Sequence, residues 1–243
     1  MIIIPMAGMS SRFFKAGYTK PKYMLEVRGL SLFEHSVNSF KRYFKKELFV
    51  FIIKNSFDTY KFVEDKIFIM GIKNYEIIVL DKDTRGQAET VALGLEKLEL
   101  RSNLSMETIT IFNIDTIRPN FVFPKLDILG SGYLEVFIGD GDNWSYVKPK
   151  NSMSTIITKS VEKERISDLC CTGLYHFHSY SLFKEAYLNY LNKPKAEWAK
   201  GELYIAPLYN YLIDNGLEIH FNKIERTDVI FCGTPDEYIE FKC

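Results

Sequence analysis

The sequence predicts an α/β fold, a Rossmann-like mixed but mostly parallel sheet with helices on both faces. Two observations predict it. Short runs of apolar residues alternate with segments of helical period over about the first half of the chain. The apolar runs are nearly continuous, as in strands that are buried on both faces, and helical crossovers are the usual connection between parallel strands.

The elements follow in order along the chain. Buried strands are predicted at residues 2–5, 48–54, 76–80 and 108–114, with helices at residues 31–44, 56–70 and 86–98. Beyond Asp115 the pattern is mixed, which indicates an extension of the same sheet. There, strands are predicted at residues 134–138, 145–148, 154–160, 169–177, 217–222 and 228–231, and helices near residues 181–191 and 204–215.

Composition excludes several classes of protein. Lys and Arg together number 31, as do Asp and Glu, so no overall charge attracts nucleic acid or a membrane surface. No apolar run reaches the length of about 18 residues that a transmembrane helix needs. The apolar start lacks the basic region of a signal sequence and is read as a strand. The four cysteines form no CxxC pair, so we expect free thiols, no zinc site and a cytoplasmic location.

The segment after the first strand carries the strongest chemical signal. Its small residues let backbone N–H groups approach a phosphate, and its two serines add hydroxyl donors. Arg12 and Lys22 add the positive charge that would neutralise a triphosphate. An ordinary strand and turn with solvated side chains is the alternative for these residues alone. The loop comprises Met6, Ala7, Gly8, Met9, Ser10 and Ser11.

This segment resembles the signature of the sugar-phosphate nucleotidyltransferase family: a strand, a small-residue loop, an arginine, and a Pro-Lys pair about ten residues later. The resemblance implies the nucleotide-diphospho-sugar transferase type of fold. It also implies a Mg²⁺-dependent enzyme that joins a nucleoside triphosphate to a small phosphorylated acceptor and releases pyrophosphate. The loop would bind the triphosphate, and Arg12 and Lys22 would be catalytic. The expected domain is single, residues 1–243, with a nucleotide-binding half (1–120) and an acceptor-binding half (121–243).

Further nucleotide and metal residues are predicted along the chain. Gly86 and Gln87 resemble the family segment beside the nucleobase, although a simple helix start explains them equally well. Asp115 follows a buried strand, where the ligand crevice of an α/β sheet lies, so its carboxylate is predicted to hold Mg²⁺ rather than to cap a turn. Family members often have a second carboxylate where this chain has Phe231. Asp228, three residues earlier, is therefore only a weak metal candidate.

The resemblance also implies an acceptor site in the second half of the chain. Lys163 would meet the acceptor phosphate as a third catalytic residue, and Glu162 would bind a polar group of the acceptor. Gly173 would leave room for the acceptor. The remaining predicted acceptor-binding residues are Ser145, Tyr146, Thr172 and Glu202.

Several functions stay open within and beyond this family. The string around the loop favours CTP as the nucleotide and phosphoglutamine, or a similar capsule precursor, as the acceptor. Transfer of a uridylyl, thymidylyl or guanylyl group to a sugar 1-phosphate is the first alternative. A glycosyltransferase of similar architecture and a nucleotide sensor without catalysis are the others. The expected partners are the two substrates, without nucleic acid or membrane, and the chain is a possible homodimer.

Overall fold

The computed structural model describes residues 1–243, and its fold is the predicted mixed α/β type with a mostly parallel central sheet and helices. The strands are β1 (Ile2–Met6), β2 (Glu26–Val27), β3 (Leu30–Ser31), β4 (Phe49–Lys54), β5 (Tyr75–Leu80), β6 (Ile109–Phe112), β7 (Thr116–Ile117), β8 (Gly132–Ile138), β9 (Ser145–Pro149), β10 (Ile157–Glu162), β11 (Leu169–Phe177), β12 (Ile219–Lys223) and β13 (Ile230–Phe231). The α-helices are α1 (Ser11–Lys15), α2 (Leu32–Val37), α3 (Thr59–Met70), α4 (Gln87–Glu99), α5 (Tyr180–Leu191), α6 (Tyr209–Asp214) and α7 (Pro235–Lys242).

The chain forms two compact units that interleave in sequence. The first unit comprises Ile2–Asp83, Phe112–Val122 and Thr227–Cys243. The second unit comprises Met1, Thr84–Ile111 and Phe123–Arg226. Because each unit draws on several stretches of chain, neither coincides with a half divided at residue 120.

The first unit has parallel strands β1, β4 and β5 in that order, with Ile4 paired to Phe51 and Phe51 to Ile77. Residues 2–6 and 49–53 are buried, which agrees with the continuous apolar runs in the sequence. A separate apolar cluster joins all three stretches of this unit. It consists of Phe13, Val27, Leu32, Ile117, Cys232 and Tyr238.

The second unit is built around the fully buried strand β11, which pairs antiparallel with β8 and β9. β10 pairs antiparallel with β9, and β12 pairs parallel with β8. Helices α5 and α6 pack on each other and on these strands. The rings of Phe177 and Tyr209 are stacked with centroids 4.3 Å apart, which fixes α6 against β11.

Two predicted helices are shorter than expected. The helix predicted at residues 31–44 begins with a capping box between Ser31 and Glu34, but it is α-helical only as far as Val37 and continues as a 3-10 turn. Phe40 departs from helical geometry within that turn. The helix predicted at residues 204–215 likewise starts as a 3-10 turn and becomes α-helical at Tyr209. Apolar period alone does not separate these two kinds of helix.

The longest helix, α4, has 13 residues. No helix of the structure combines the length and the apolar character that crossing a bilayer requires.

Candidate functional site

The predicted phosphate loop joins β1 to α1 in the first unit. Ser10 has φ 50° and ψ 32°, a left-handed conformation that is uncommon outside glycine, immediately before α1 begins. Its carbonyl accepts from the Phe13 N–H at 2.9 Å, and its Oγ accepts from the Lys22 N–H at 3.1 Å. The Ser10 hydroxyl therefore ties the loop to the Lys22 backbone and keeps its own proton to donate.

Most of the loop is accessible to a ligand. Met6 is buried at the end of β1, whereas Gly8, Ser11 and Arg12 are exposed and Met9 has 63% of its surface exposed. Backbone N–H groups and the Arg12 guanidinium can thus reach a phosphate without rearrangement of the core. The predicted roles of these residues in nucleotide binding stay predictions.

Lys22 and Asp115 come together beside this loop. The Lys22 Nζ donates to the Asp115 Oδ2 at 2.5 Å, and the two side chains are 21% and 22% exposed. Burial by itself raises the pKa of Asp115, but the charge and hydrogen bond of Lys22, with a smaller contribution from Arg12, hold that pKa below its usual value. Asp115 is therefore an ionised carboxylate at neutral pH, as a metal ligand must be.

Asp115 lies between β6, which ends at Phe112, and β7. Its carbonyl accepts from the Cys232 N–H at 2.8 Å, and Phe231 of β13 pairs with Thr116 of β7. The position at which family members often carry a second carboxylate is thus adjacent to Asp115 in the structure, and here it is a buried phenylalanine. Asp228 lies in an exposed 3-10 turn before β13 and stays a weak candidate.

Two residues beside Asp115 were not predicted from the sequence. A Cβ added to Gly233 would lie 3.0 Å from the Asp115 Oδ2 and 3.5 Å from the Glu237 Oε2, so the carboxylate approaches the chain here because residue 233 is a glycine. Glu237 accepts from the backbone N–H groups of Gly233 at 2.8 Å and Thr234 at 2.9 Å. The Thr-Pro-Asp-Glu sequence is a recognisable capping box and could have indicated helix α7.

A cavity of about 430 Å³ adjoins the loop within the same unit. At its wall the rings of Phe14 and Phe57 stack with centroids 5.4 Å apart, and Phe57 and Asp58 both have φ 54°. Left-handed backbone at two successive non-glycine residues is strained and is common at ligand sites. The lining residues are Met6, Ala7, Gly8, Met9, Ser11, Phe14, Lys15, Pro21, Tyr23, Lys54, Ser56 and Phe57.

In the second unit, the predicted nucleobase segment is held by the backbone of Leu203. The Leu203 N–H donates to the Arg85 carbonyl at 2.9 Å, and the Ala88 N–H donates to the Leu203 carbonyl at 2.8 Å. A Cβ on Gly86, which has φ 150°, would lie 2.4 Å from the Leu203 oxygen. Residue 86 must therefore be a glycine because the Leu203 backbone lies against it, not because of a ligand. Gln87 is the first residue of α4.

A hydroxyl and carboxylate cluster forms where β9 and β10 pair. The Ser145 Oγ donates to Glu162 and lies 3.3 Å from the Tyr175 hydroxyl. Burial raises the pKa of Glu162 above its usual value, and the nearby Glu202 adds to that effect, while the Ser145 hydrogen bond and the Lys163 charge oppose it. Three of the predicted acceptor residues, Ser145, Glu162 and Lys163, are thus neighbours.

Other predicted acceptor residues are placed differently. Tyr146 is fully buried, and its hydroxyl donates to the Gly141 carbonyl. Thr172 is also buried and donates to the Glu135 carboxylate at 3.0 Å. We correct both predictions, because neither side chain is accessible to an acceptor in this structure. Tyr146 lies in β9 and Thr172 in the fully buried strand β11, and both side chains are packed inside the second unit.

The last two predicted acceptor-binding residues, Gly173 and Glu202, have positions that are compatible with a site. Gly173 has φ 93° and lies at the β-bulge between Cys171 and Tyr175, a backbone conformation that favours glycine. Glu202 is exposed next to Leu203. Tyr175 and Tyr204 were not predicted, since only the tertiary structure brings them to Ser145 and Lys163.

Comparison with known proteins gives a consistent picture. No protein-family model and no curated protein matches the chain. A solved nucleoside-diphosphate-sugar pyrophosphorylase from Vibrio cholerae RC9 is 58% identical, with a TM-score of 0.95 and coverage of 100% of this chain and 99% of that one.

Two more distant structures share the fold. A putative glucose-1-phosphate thymidylyltransferase from Bacillus anthracis is 19% identical, with a TM-score of 0.74 over 99% of this chain and 92% of that one. The inositol-1-phosphate CTP transferase from T. maritima is 14% identical, with a TM-score of 0.72 over 99% and 93%. On the identity and coverage of the Vibrio cholerae relative, this chain belongs to the nucleoside-diphosphate-sugar pyrophosphorylases, a family of nucleotidyltransferases.

Proposed function

We propose that the protein transfers the nucleotidyl group of a nucleoside triphosphate to a sugar 1-phosphate and releases pyrophosphate. The observation that carries the proposal is the contact of Lys22 with Asp115 beside the exposed loop that ends β1. The 58% identity to a nucleoside-diphosphate-sugar pyrophosphorylase supports this acceptor class over the capsule precursor favoured by the sequence.

The phosphate-binding residues act through charge and position. An oxygen of the acceptor phosphate attacks the α-phosphorus in line, and the bond to the pyrophosphate oxygen breaks. A phosphate dianion needs no strong base to react, so most of the rate enhancement comes from alignment and charge neutralisation. Arg12 and Lys22, with the loop N–H groups, offset the negative charge that gathers on the leaving pyrophosphate.

The residues around Asp115 fit a magnesium ion of the kind that completes its shell with phosphate oxygens and water. No group of three or more acidic, histidine or cysteine side chains is present that could enclose a metal, and Mg²⁺ often uses one or two carboxylates only. Asp115, ionised and partly accessible, would hold the ion. When bound, Mg²⁺ would neutralise phosphate charge.

The acceptor is held in the second unit. Lys163 binds its phosphate, and the carboxylate of Glu162 accepts from a sugar hydroxyl. Ser145 already donates to this carboxylate, which orients it. Partly exposed Glu162 and exposed Glu202 are suited to the several hydroxyl groups of a sugar, since carboxylates are acceptors only.

A second candidate is transfer of a cytidylyl group to phosphoglutamine or a similar capsule precursor. The sequence string around the phosphate loop favours it. The glycosyltransferase and sensor alternatives receive no support from the Vibrio cholerae relative. The cytoplasmic location and the homodimer expected from the sequence stay predictions.

A substrate panel tests the proposal. Pyrophosphate release would be measured with CTP, UTP, dTTP and GTP, each against glucose 1-phosphate, other sugar 1-phosphates and phosphoglutamine. We expect release with a sugar 1-phosphate, loss of release on chelation by EDTA, and recovery with added Mg²⁺. Release with phosphoglutamine and CTP alone would favour the second candidate, and no release with any pair would refute both.

A further inference from the structure

The backbone of Lys163 is held in an unusual conformation. Its φ of 55° lies in the left-handed region, which is strained for a non-glycine residue. The residue directly follows the end of β10, and its N–H donates to the Trp144 carbonyl at 2.8 Å. The surrounding structure therefore fixes the direction in which this side chain leaves the sheet.

The end of the side chain is held as well. The Lys163 Nζ donates to the Tyr204 hydroxyl and lies 4.5 Å from the centroid of the Tyr204 ring. An ammonium group has three donors, so one hydrogen bond to Tyr204 leaves two for a ligand. A long flexible lysine is thereby restricted to one orientation before the ligand arrives.

Tyr204 itself stands on a fixed support. The N–H and the carbonyl of the preceding residue, Leu203, are both hydrogen-bonded to the Arg85–Ala88 segment. The backbone of Gly86 packs directly against the Leu203 backbone. The following residue, Ile205, is completely buried. With both neighbours fixed, the Tyr204 backbone is held in place, so its half-buried ring leaves the chain from a fixed position.

The chemistry of the partner suits a phosphate-binding lysine. A carboxylate in this position would compete with the phosphate for the ammonium charge. A phenol hydroxyl carries no charge at neutral pH, so it orients the lysine and leaves its positive charge available.

We infer that Tyr204 is the positioning residue for Lys163 and that its hydroxyl sets how tightly the acceptor phosphate is bound. The inference rests on the proposed function, because the role of Lys163 at the acceptor phosphate belongs to it. Tyr204 does not touch the reacting atoms and acts only through Lys163.

A double-mutant cycle separates positioning from packing. The variants are Tyr204→Phe, Lys163→Ala and their combination, each made in the full chain. Tyr204→Phe removes the hydroxyl and keeps the ring. The matched control is Tyr180→Phe, which removes a buried hydroxyl that donates to Glu99 at 3.1 Å elsewhere in the same unit. Thermal unfolding checks that all variants fold.

Two measurements are made on each variant: steady-state kinetics with the most active pair of the substrate panel, and binding of glucose 1-phosphate by calorimetry. We expect Tyr204→Phe to raise the acceptor KM and the glucose 1-phosphate Kd by about tenfold, as for loss of a hydrogen bond to a charged group. The KM for the nucleotide and the Tyr180→Phe control should stay within about twofold of wild type. In the Lys163→Ala background, Tyr204→Phe should change binding by less than about twofold, because the effect passes through Lys163.

An equal loss in both backgrounds, or no loss with Lys163 intact, would overturn the inference. The same holds if the wild-type chain does not bind glucose 1-phosphate. If binding follows the expected pattern but no pair in the panel releases pyrophosphate, the proposed function fails and the positioning role stands.

Discussion

Lys22 and Asp115 are 93 residues apart in the chain, yet the Lys22 Nζ lies 2.5 Å from the Asp115 Oδ2. The ammonium of Lys22 and the carboxylate of Asp115 neutralise each other, so neither partly buried side chain carries an unpaired charge. Binding of a triphosphate with its metal would exchange these partners. The ammonium would turn to phosphate oxygens and the carboxylate to the metal. The contact thus keeps both groups in place before the substrates arrive, and it holds the pKa of Asp115 below its usual value.

Substitution of either partner is expected to abolish most activity. Lys22→Ala and Asp115→Ala should each lower turnover by about 100-fold or more, because charge stabilisation at the phosphates is lost. Lys20→Ala, an exposed lysine two residues before Lys22, is the matched control and should keep near-normal activity. Steady-state rates together with circular dichroism check this prediction. A near-normal rate in either variant would refute the role assigned to that residue.

The same contact predicts a pH dependence of stability. The pKa of Asp115 in the folded chain lies below the ordinary aspartate value of 3.8, so its contribution is present above that pH and disappears as the pH falls through the folded pKa. Asp115→Asn should lower the free energy of unfolding by about 2 kcal/mol at pH 7. The deficit relative to wild type should shrink below pH ~4. Urea unfolding at several pH values measures the difference in free energy of unfolding between Asp115→Asn and wild type. A difference that does not change with pH would contradict the prediction.

Gly86→Ala is expected to destabilise the second unit. The added Cβ would meet the Leu203 oxygen at 2.4 Å, so the two backbone hydrogen bonds that Leu203 makes would have to shift. Gly29→Ala is the matched control, since Gly29 has φ 80° but open space around it. The control should cost about 1–2 kcal/mol, the strain of the left-handed backbone alone, and Gly86→Ala should cost clearly more. Denaturant unfolding compares them, and equal losses would show that the close approach is unimportant.

Glu162→Gln is expected to stabilise the protein near neutral pH. Burial raises the pKa of Glu162, so its ionised form is disfavoured in the folded state. The resulting loss of stability begins as the pH rises through the ordinary glutamate value and is complete above the raised pKa. Glutamine keeps an oxygen that can accept from Ser145 and removes the partly buried charge. The gain in Tm should be present at pH 7 and absent near pH 4, where the carboxyl is largely protonated. A lower Tm of Glu162→Gln than of wild type at pH 7 would contradict the prediction.

Long strands and long helices were predictable from this sequence, whereas the two-residue strands β2, β3 and β7 were not predicted. β11 begins and ends where the sequence predicts, Leu169–Phe177, because a run buried on both faces is bounded by polar residues. The helix predicted at residues 31–44 is divided because Phe40 leaves helical geometry. Helix α7 was not predicted, although Thr234 and Glu237 form a capping box.

The sequence indicates individual residues of the candidate site but not their arrangement. The sequence predicted Lys22, Asp115 and Lys163 separately, each from its own motif. It gave no sign that Tyr204 would hold Lys163, because no local pattern links residues 41 positions apart. For the same reason Tyr146 was predicted to contact a ligand, whereas its side chain faces the core.

The interleaving of the two units bears on how the protein is made. The Asp115 carbonyl accepts a hydrogen bond from the Cys232 N–H, and the apolar cluster that contains Phe13 also includes Tyr238. A ribosome makes Cys232 and Tyr238 after the rest of the first unit, so the Asp115 environment cannot be completed until these residues have been synthesised. Until then, the earlier stretches of the first unit keep part of their apolar surface exposed to solvent. A chain that ends before residue 232 would lack the Cys232 N–H that donates to the Asp115 carbonyl. Vectorial synthesis therefore delays the assembly of the residues around Asp115 until the chain has been made as far as Tyr238.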